Sequence, residues 1–171
     1  MGAAVRGDFV HRRPCVARGP IHAPGKSRSL PASLGAQLAL PDRPVVLFTG
    51  DGGFYYHLSE LETAVRWNIP SITIVNNNRS LNQEVEVYEE AYGGELSGKH
   101  HELWHFREID FARVAEAFGA TGLRVANPAD LPLAIEHALN ERRPTVIDVV
   151  TDITAMAPLA YLPETASLEA H

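Results

Sequence analysis

Two short stretches of this 171-residue chain hold residue types that could do chemistry: Gly50-Asp51-Gly52-Gly53-Phe54 and, further on, Asn76-Asn77-Asn78. Glycines let backbone N–H groups approach a phosphate closely, and a helix starting there adds unpaired donors and the positive end of its dipole. Asp51 with an asparagine amide offers the hard oxygen donors that a small divalent cation takes. Binding of a diphosphate bridged to magnesium is the chemistry these residues describe. Two commoner phosphate motifs are excluded: no Lys-Ser or Lys-Thr follows the glycines, and Tyr55 stands where a Gly-x-Gly-x-x-Gly pattern needs its third glycine. Each stretch alone has a bland reading, since Gly-Asp-Gly is commonly a turn and an asparagine run commonly opens a loop.

The elements around them decide whether the two stretches can meet. Val45-Val46-Leu47-Phe48-Thr49 is a β-branched, apolar run that reads as a buried parallel strand and stops at Gly50. Leu58, Leu61 and Val65 then recur at helical spacing until Asn68 and Pro70 end the pattern. Ile72-Thr73-Ile74-Val75 is a second buried strand leading into the asparagines. The unit is βαβ, so both strand ends bring their oxygens to one edge of the sheet, where open α/β sheets bind ligands.

Taken together, Gly50-Asp51-Gly52, the helix Glu60-Leu61-x-Thr63-Ala64-x-Arg66, Pro70 and Asn77-Asn78, about 27 residues after Asp51, resemble the cofactor motif of acetolactate synthase-like, thiamine-diphosphate-dependent enzymes. The resemblance covers about residues 30 to 155. It implies an α/β fold with an open, mostly parallel sheet and helices on both faces. It also implies cofactor contacts from Gly50, Asp51, Gly52, Gly53, Phe54 and Asn78. Magnesium would be held by side-chain oxygens of Asp51 and Asn78 and by the backbone carbonyl of Ser80. The family's cofactor supplies a carbon nucleophile and an electron sink for decarboxylation of a 2-oxo acid.

In that family a glutamate from a different domain, donated across a subunit interface, activates the aminopyrimidine ring. Only the diphosphate-binding domain matches here, so no catalytic residue is expected within this chain. A pyrimidine-binding domain or subunit is the implied partner, in a homo- or hetero-oligomer, and whether the chain alone is an enzyme stays open. It reads first as a domain of a decarboxylase or carboligase, inactive alone. The alternatives are a subunit of a split decarboxylase of the sulfopyruvate decarboxylase kind, and a non-catalytic α/β remnant. Two departures stand out. The family's upstream Met-Gly pair, whose Met wedges the cofactor into its bent form, is missing near Lys26-Ser27-Arg28-Ser29. Where acetolactate synthases have a Gly near position 82 and a Met-Val-x-Gln-Trp run, this chain reads Ser80-Leu81-Asn82-Gln83-Glu84-Val85-Glu86.

Other clusters read more simply. Glu84, Glu86, Glu89 and Glu90 describe a solvated helix face, with general acid–base work as the alternative. His101 and His105 are spaced to share a metal if helical, but no third ligand is evident, and a substrate-facing histidine is the other reading. Residues 1 to 28 hold six basic groups against one acid. The whole chain has 15 basic and 21 acidic residues, so the remainder carries nine against twenty. With Pro14, Pro20 and Pro24 and no periodicity, residues 1–29 read as an irregular head outside the fold, and residues 156–171 as a tail. A nucleic-acid partner is not expected, nor a membrane, since no apolar run approaches the roughly 18 residues a span requires. One cysteine, Cys15, fits a cytoplasmic protein. Downstream, Asp110 is expected to cap a helix over Phe111–Phe118 that stops at Gly119, and Asn127-Pro128 to open a helix running to Asn140. Pro144–Val150 should form the last buried strand.

Overall fold

The computed structural model describes residues 15–18, 29–82, 85–94 and 98–155. In chain order they form β1 (Cys15–Arg18), α1 (Ser29–Ala39), β2 (Val45–Gly50), α2 (Asp51–Tyr55), α3 (Glu60–Arg66), β3 (Ile72–Asn77) and α4 (Val85–Ala91). A 3-10 turn (His100–Leu103), α5 (Phe111–Ala117), β4 (Thr121–Val125), a second 3-10 turn (Pro128–Asp130), α6 (Leu131–Glu141) and β5 (Thr145–Val150) follow. All five strands are parallel, in the order β1-β2-β3-β5-β4. The expected α/β class and parallel sheet are both present.

Strand order explains which face each helix covers. From β1 to β2 to β3, and on to β4, the chain moves across the sheet in one direction, and right-handed crossovers keep α1, α3 and α5 on one face. There Leu30, Leu34, Leu47, Leu61, Val75, Phe111, Ala115 and Val146 form the larger core. Between β4 and β5 the chain turns back, so the same handedness sends α6 to the opposite face. Ile72, Ile74, Val125, Ala138 and Ile147 pack there. Because all strands run one way, Gly50, Asn77 and Val150 end on the same edge, with Gly50 opposite Asn76 and Asn77 opposite Val150.

Local signals held with three adjustments. Asp110 accepts from the Arg113 N–H at 3.0 Å as the cap of α5, and Gly119 leaves the helix at φ +88°. Asn127 caps at 3.1 Å, but Pro128–Asp130 winds as a 3-10 turn and α6 begins only at Leu131. The helix expected from Leu58 begins only at Glu60, as α3, and is preceded by a separate short helix, α2, that starts directly at Asp51. Four residues of the head depart from its reading as irregular: Cys15–Arg18 pair with β2, Cys15 opposite Val45 and Arg18 opposite Phe48. Cys15-Val16-Ala17 is a short apolar run between prolines, and an edge strand needs one pairing side only. Ser29, the last residue of the head, opens α1; residues 1–14 and 19–28, residues 83–84 with Glu84, and the tail from 156 lie outside the described residues.

Candidate functional site

Asp51 is the first residue after β2 and the first of α2, and its side chain is 2% exposed. One carboxylate oxygen, Oδ1, accepts from the Gly52 N–H at 2.7 Å, so the aspartate satisfies a donor of the helix start that it opens. The other, Oδ2, accepts from the Ser80 N–H at 3.2 Å. The Asn78 amide oxygen accepts from that same Ser80 N–H at 3.1 Å. Two oxygens from the ends of β2 and β3 thus converge on one point at the carboxyl edge of the sheet. Burial pushes the Asp51 carboxyl above its ordinary pKa, against the pull of the Gly52, Arg79 and Ser80 backbone N–H groups. A positive charge at this point would relieve that burial, and one carboxylate plus one amide oxygen is a donor set suited to Mg²⁺.

The other expected residues surround this point. Gly50 caps α2 in extended backbone, and Gly53 and Phe54 lie within its first turn. At Gly52 an added Cβ would stand 2.5 Å from Leu81 Cδ2, so a larger residue would require the Leu81 side chain to move. Phe54 meets Phe111 edge to face at 5.4 Å, and Tyr55 meets Phe106 and Phe111 at 5.1 and 5.2 Å, which anchors α2 to the start of α5 and the segment before it. Ser80 is buried, and its strand-like backbone pairs with His105. That bridge is flanked by Leu81 N–H donating to Trp104 O at 2.8 Å and Phe106 N–H donating to Arg79 O at 2.7 Å.

Asn77, Asn82 and Asp148, to which the sequence reading gave no anchoring role, hold this loop in place. Asn77, next to Asn78 and 2% exposed, points the other way: its Nδ2 donates to Ile109 O at 3.0 Å and to Asp148 Oδ1 at 2.8 Å. Asp148, fully buried in β5, also accepts from Phe111 N–H at 3.0 Å and Arg124 Nη1 at 3.1 Å. Burial raises its pKa, opposed by Asn77, the Phe111 N–H and Arg124. Asn82, where the resembled pattern has glycine, accepts from Asn78 Nδ2 at 3.1 Å and donates to Ile153 O at 3.0 Å, tying the loop to the chain after β5. A buried aspartate inside an apolar strand run was the one available signal for Asp148.

The remaining clusters stay apart from this point. Glu89 and Glu90 are exposed on α4. His101 and His105 are exposed with ring centroids 5.8 Å apart, and among the described residues no group of three His, Cys, Asp or Glu could hold a metal. A cavity of about 420 Å³ lined by Gln37, Asn68, Pro70 and Arg142 lies at the opposite, amino edge of the sheet. Among the described residues no helix is long and apolar enough to cross a membrane.

Comparison with known proteins places the fold in a family. Residues 25–149 match the family described as the C-terminal TPP binding domain of thiamine pyrophosphate enzymes. The chain is 34% identical over 126 residues to the acetolactate synthase isozyme 3 large subunit of Escherichia coli, covering 72% of this chain and 21% of that protein. It is 36% identical over 136 residues to the acetolactate synthase of Bacillus subtilis, covering 77% and 22%. Among solved structures, the thiamine diphosphate-dependent 4-hydroxybenzoylformate decarboxylase of Rhodococcus jostii RHA1 matches with a TM-score of 0.65 and 35% identity, over 74% of this chain and 23% of that one. The chain therefore spans about a fifth of the length of these relatives. With the family matched over most of its residues and the sheet edge built as described, the chain belongs to the thiamine pyrophosphate enzymes, as a C-terminal TPP binding domain.

Proposed function

We propose that this chain binds the diphosphate end of thiamine diphosphate through Mg²⁺, as the cofactor domain of an acetolactate synthase-like 2-oxo acid decarboxylase or carboligase. The observation that carries the reading is the convergence of Asp51 Oδ2 and Asn78 Oδ1 on the Ser80 N–H, at the carboxyl edge of a parallel sheet. Asp51 and Asn78 would hold the metal with the Ser80 carbonyl, and Gly50, Gly52, Gly53 and Phe54 would bring the α2 start against the diphosphate. The bound cofactor would supply the nucleophile and electron sink for a 2-oxo acid.

Partners belong to the same proposal. The chain's share of its relatives' length, about a fifth, supports a second domain or subunit that holds the pyrimidine end and brings the activating acid. In this reading the chain by itself turns over no 2-oxo acid, and its setting is the cytoplasm. Calorimetric titration with thiamine diphosphate, with and without Mg²⁺, tests the binding. Metal-dependent heat is expected from the parent and none from Asp51→Ala. An Asp51→Ala protein that binds the cofactor as tightly as the parent in Mg²⁺ overturns the assignment. Turnover of pyruvate by the chain alone, above a protein-free control, would place the missing acid within it.

A further inference from the structure

We propose that Arg79 is an oxyanion-binding residue of this site, its guanidinium set beside the metal position to take a phosphate or carboxylate oxygen. The inference rests on the reading of Asp51 and Asn78 given above.

Arg79 stands between Asn78 and Ser80, in the left-handed region at φ +60°. A residue with a Cβ adopts that conformation at a cost, and such positions gather where function over-determines the backbone. Its Nε is buried without a hydrogen-bond partner, the one such side-chain nitrogen or oxygen among the described residues. Nor does any carboxylate among the described residues lie within ion-pair distance of it, although Arg66, Lys99, Arg113, Arg124 and His137 all have one. A guanidinium does not escape burial by losing its proton, so an N–H without an acceptor is a standing penalty that an incoming oxyanion removes.

Direction follows from the neighbours. The backbone N–H of Arg79 reaches Asp51, whereas the charge of its side chain reaches His105 and Asp152, on the segments flanking the end of β3. His105, though exposed, is held below its ordinary range first by partial loss of solvation and then by the positive charges of His101, His100 and Arg79. Asp152 is held low first by its hydrogen bonds from Thr154, with Arg79 adding to them. Arg79 thus stands in the chain between the two residues that meet at the Asp51 carboxylate, and its buried Nε belongs to the same sheet edge, on the side of His105 and Asp152. A cation there can reach an anion that the metal also holds or one lying alongside it. Arginine's planar fork suits both a phosphate and a carboxylate. The backbone bond that fixes this residue, Phe106 N–H to Arg79 O, survives any change of side chain.

The test uses the full chain in Mg²⁺, titrated calorimetrically with inorganic pyrophosphate and, separately, with pyruvate, for the parent, Arg79→Gln and Arg79→Lys. Mn²⁺ binding without an anion is followed by electron paramagnetic resonance. Arg79→Gln is expected to weaken one anion roughly tenfold or more, with Arg79→Lys between it and the parent and Mn²⁺ affinity unchanged. A loss confined to pyrophosphate identifies the cofactor's diphosphate as the source; one confined to pyruvate identifies the substrate carboxylate. Unchanged affinity for both anions in Arg79→Gln overturns the proposal while leaving the metal reading intact. So does an equal fall of Mn²⁺ affinity in both variants, which makes Arg79 a scaffold residue. A parent that binds Mn²⁺ but neither anion also overturns it, and one that binds no Mn²⁺ fails the metal reading itself.

Discussion

Asn77 and Asn78 are adjacent and chemically identical, yet the structure turns one toward Asp148 and the other toward Asp51 and Ser80, and replacing each with alanine tests the proposed division into a clamp and a metal ligand. Asn77→Ala removes two donated bonds, to Ile109 O at 3.0 Å and to the Asp148 carboxylate at 2.8 Å. A neutral bond is worth about 1 kcal/mol and one to a charged group about 1.5–3, so the loss should be about 2.5–4 kcal/mol. It should not exceed that, because Asp148 keeps the Phe111 N–H and Arg124 and is not left as an unpaired buried charge. Asn78→Ala removes the bond to Asn82 at 3.1 Å and one of two acceptors for the Ser80 N–H, whose other acceptor, Asp51 Oδ2, remains at 3.2 Å. Its cost in metal-free protein should be about 0.5–1.5 kcal/mol. Urea unfolding without metal, with unchanged m-values, measures these terms. Magnesium-dependent cofactor binding should follow the opposite order. Asn78→Ala is expected to lose more than the roughly 10–100-fold that removal of an outer-shell partner costs, and folded Asn77→Ala to lose less. Equal destabilisation by the two substitutions, or metal binding lost in folded Asn77→Ala and kept in Asn78→Ala, would refute the division.

Burial raises the Asp148 pKa from its ordinary 3.8, so the native state keeps a proton at pH values where the unfolded chain has lost it. Stability contributed by that proton falls as pH rises from the ordinary value through the folded one, and urea midpoints of the parent relative to Asp148→Asn should fall over that window and level off above it. Gly52→Ala sets a Cβ 2.5 Å from Leu81 Cδ2, the mobile end of a side chain. It should cost about 1–3 kcal/mol in thermal or urea unfolding, and Leu81→Ala in the same chain should recover part of it. Gly122→Ala drives a Cβ into the Ala112 backbone carbonyl, where α5 crosses β4 and nothing flexible can yield. It should exceed the upper end of that range, about 3 kcal/mol, whereas Gly35→Ala, with open space around it in α1, should stabilise by about 0.5–1 kcal/mol.

Much of the scaffold was legible in the residue order because its causes are local. Val45–Thr49 and Ile72–Val75 are continuous apolar runs as buried parallel strands must be, and Asp110 and Gly119 bound α5 through bonds and dihedrals within a few residues. Asp51 was legible for the same reason: a carboxylate between glycines at a strand end is read from neighbours alone. The short strand β1 was not, since four residues show no periodicity and pair only because β2 presents a free edge. Only the family resemblance singled out Asn78; no local pattern says which asparagine turns toward the point where Asp51 meets Ser80. Asn77 turns away from it because Asp148, 71 residues along the chain, receives its amide. Asn78 turns toward it because Asp51 and Ser80 meet there across 29 residues. Residue types determined which chemistry this chain could attempt. The pairing of β3 with β5 decided which side chains face that edge of the sheet, because a contact between distant residues depends on strand order and register, and neither is written in the local pattern.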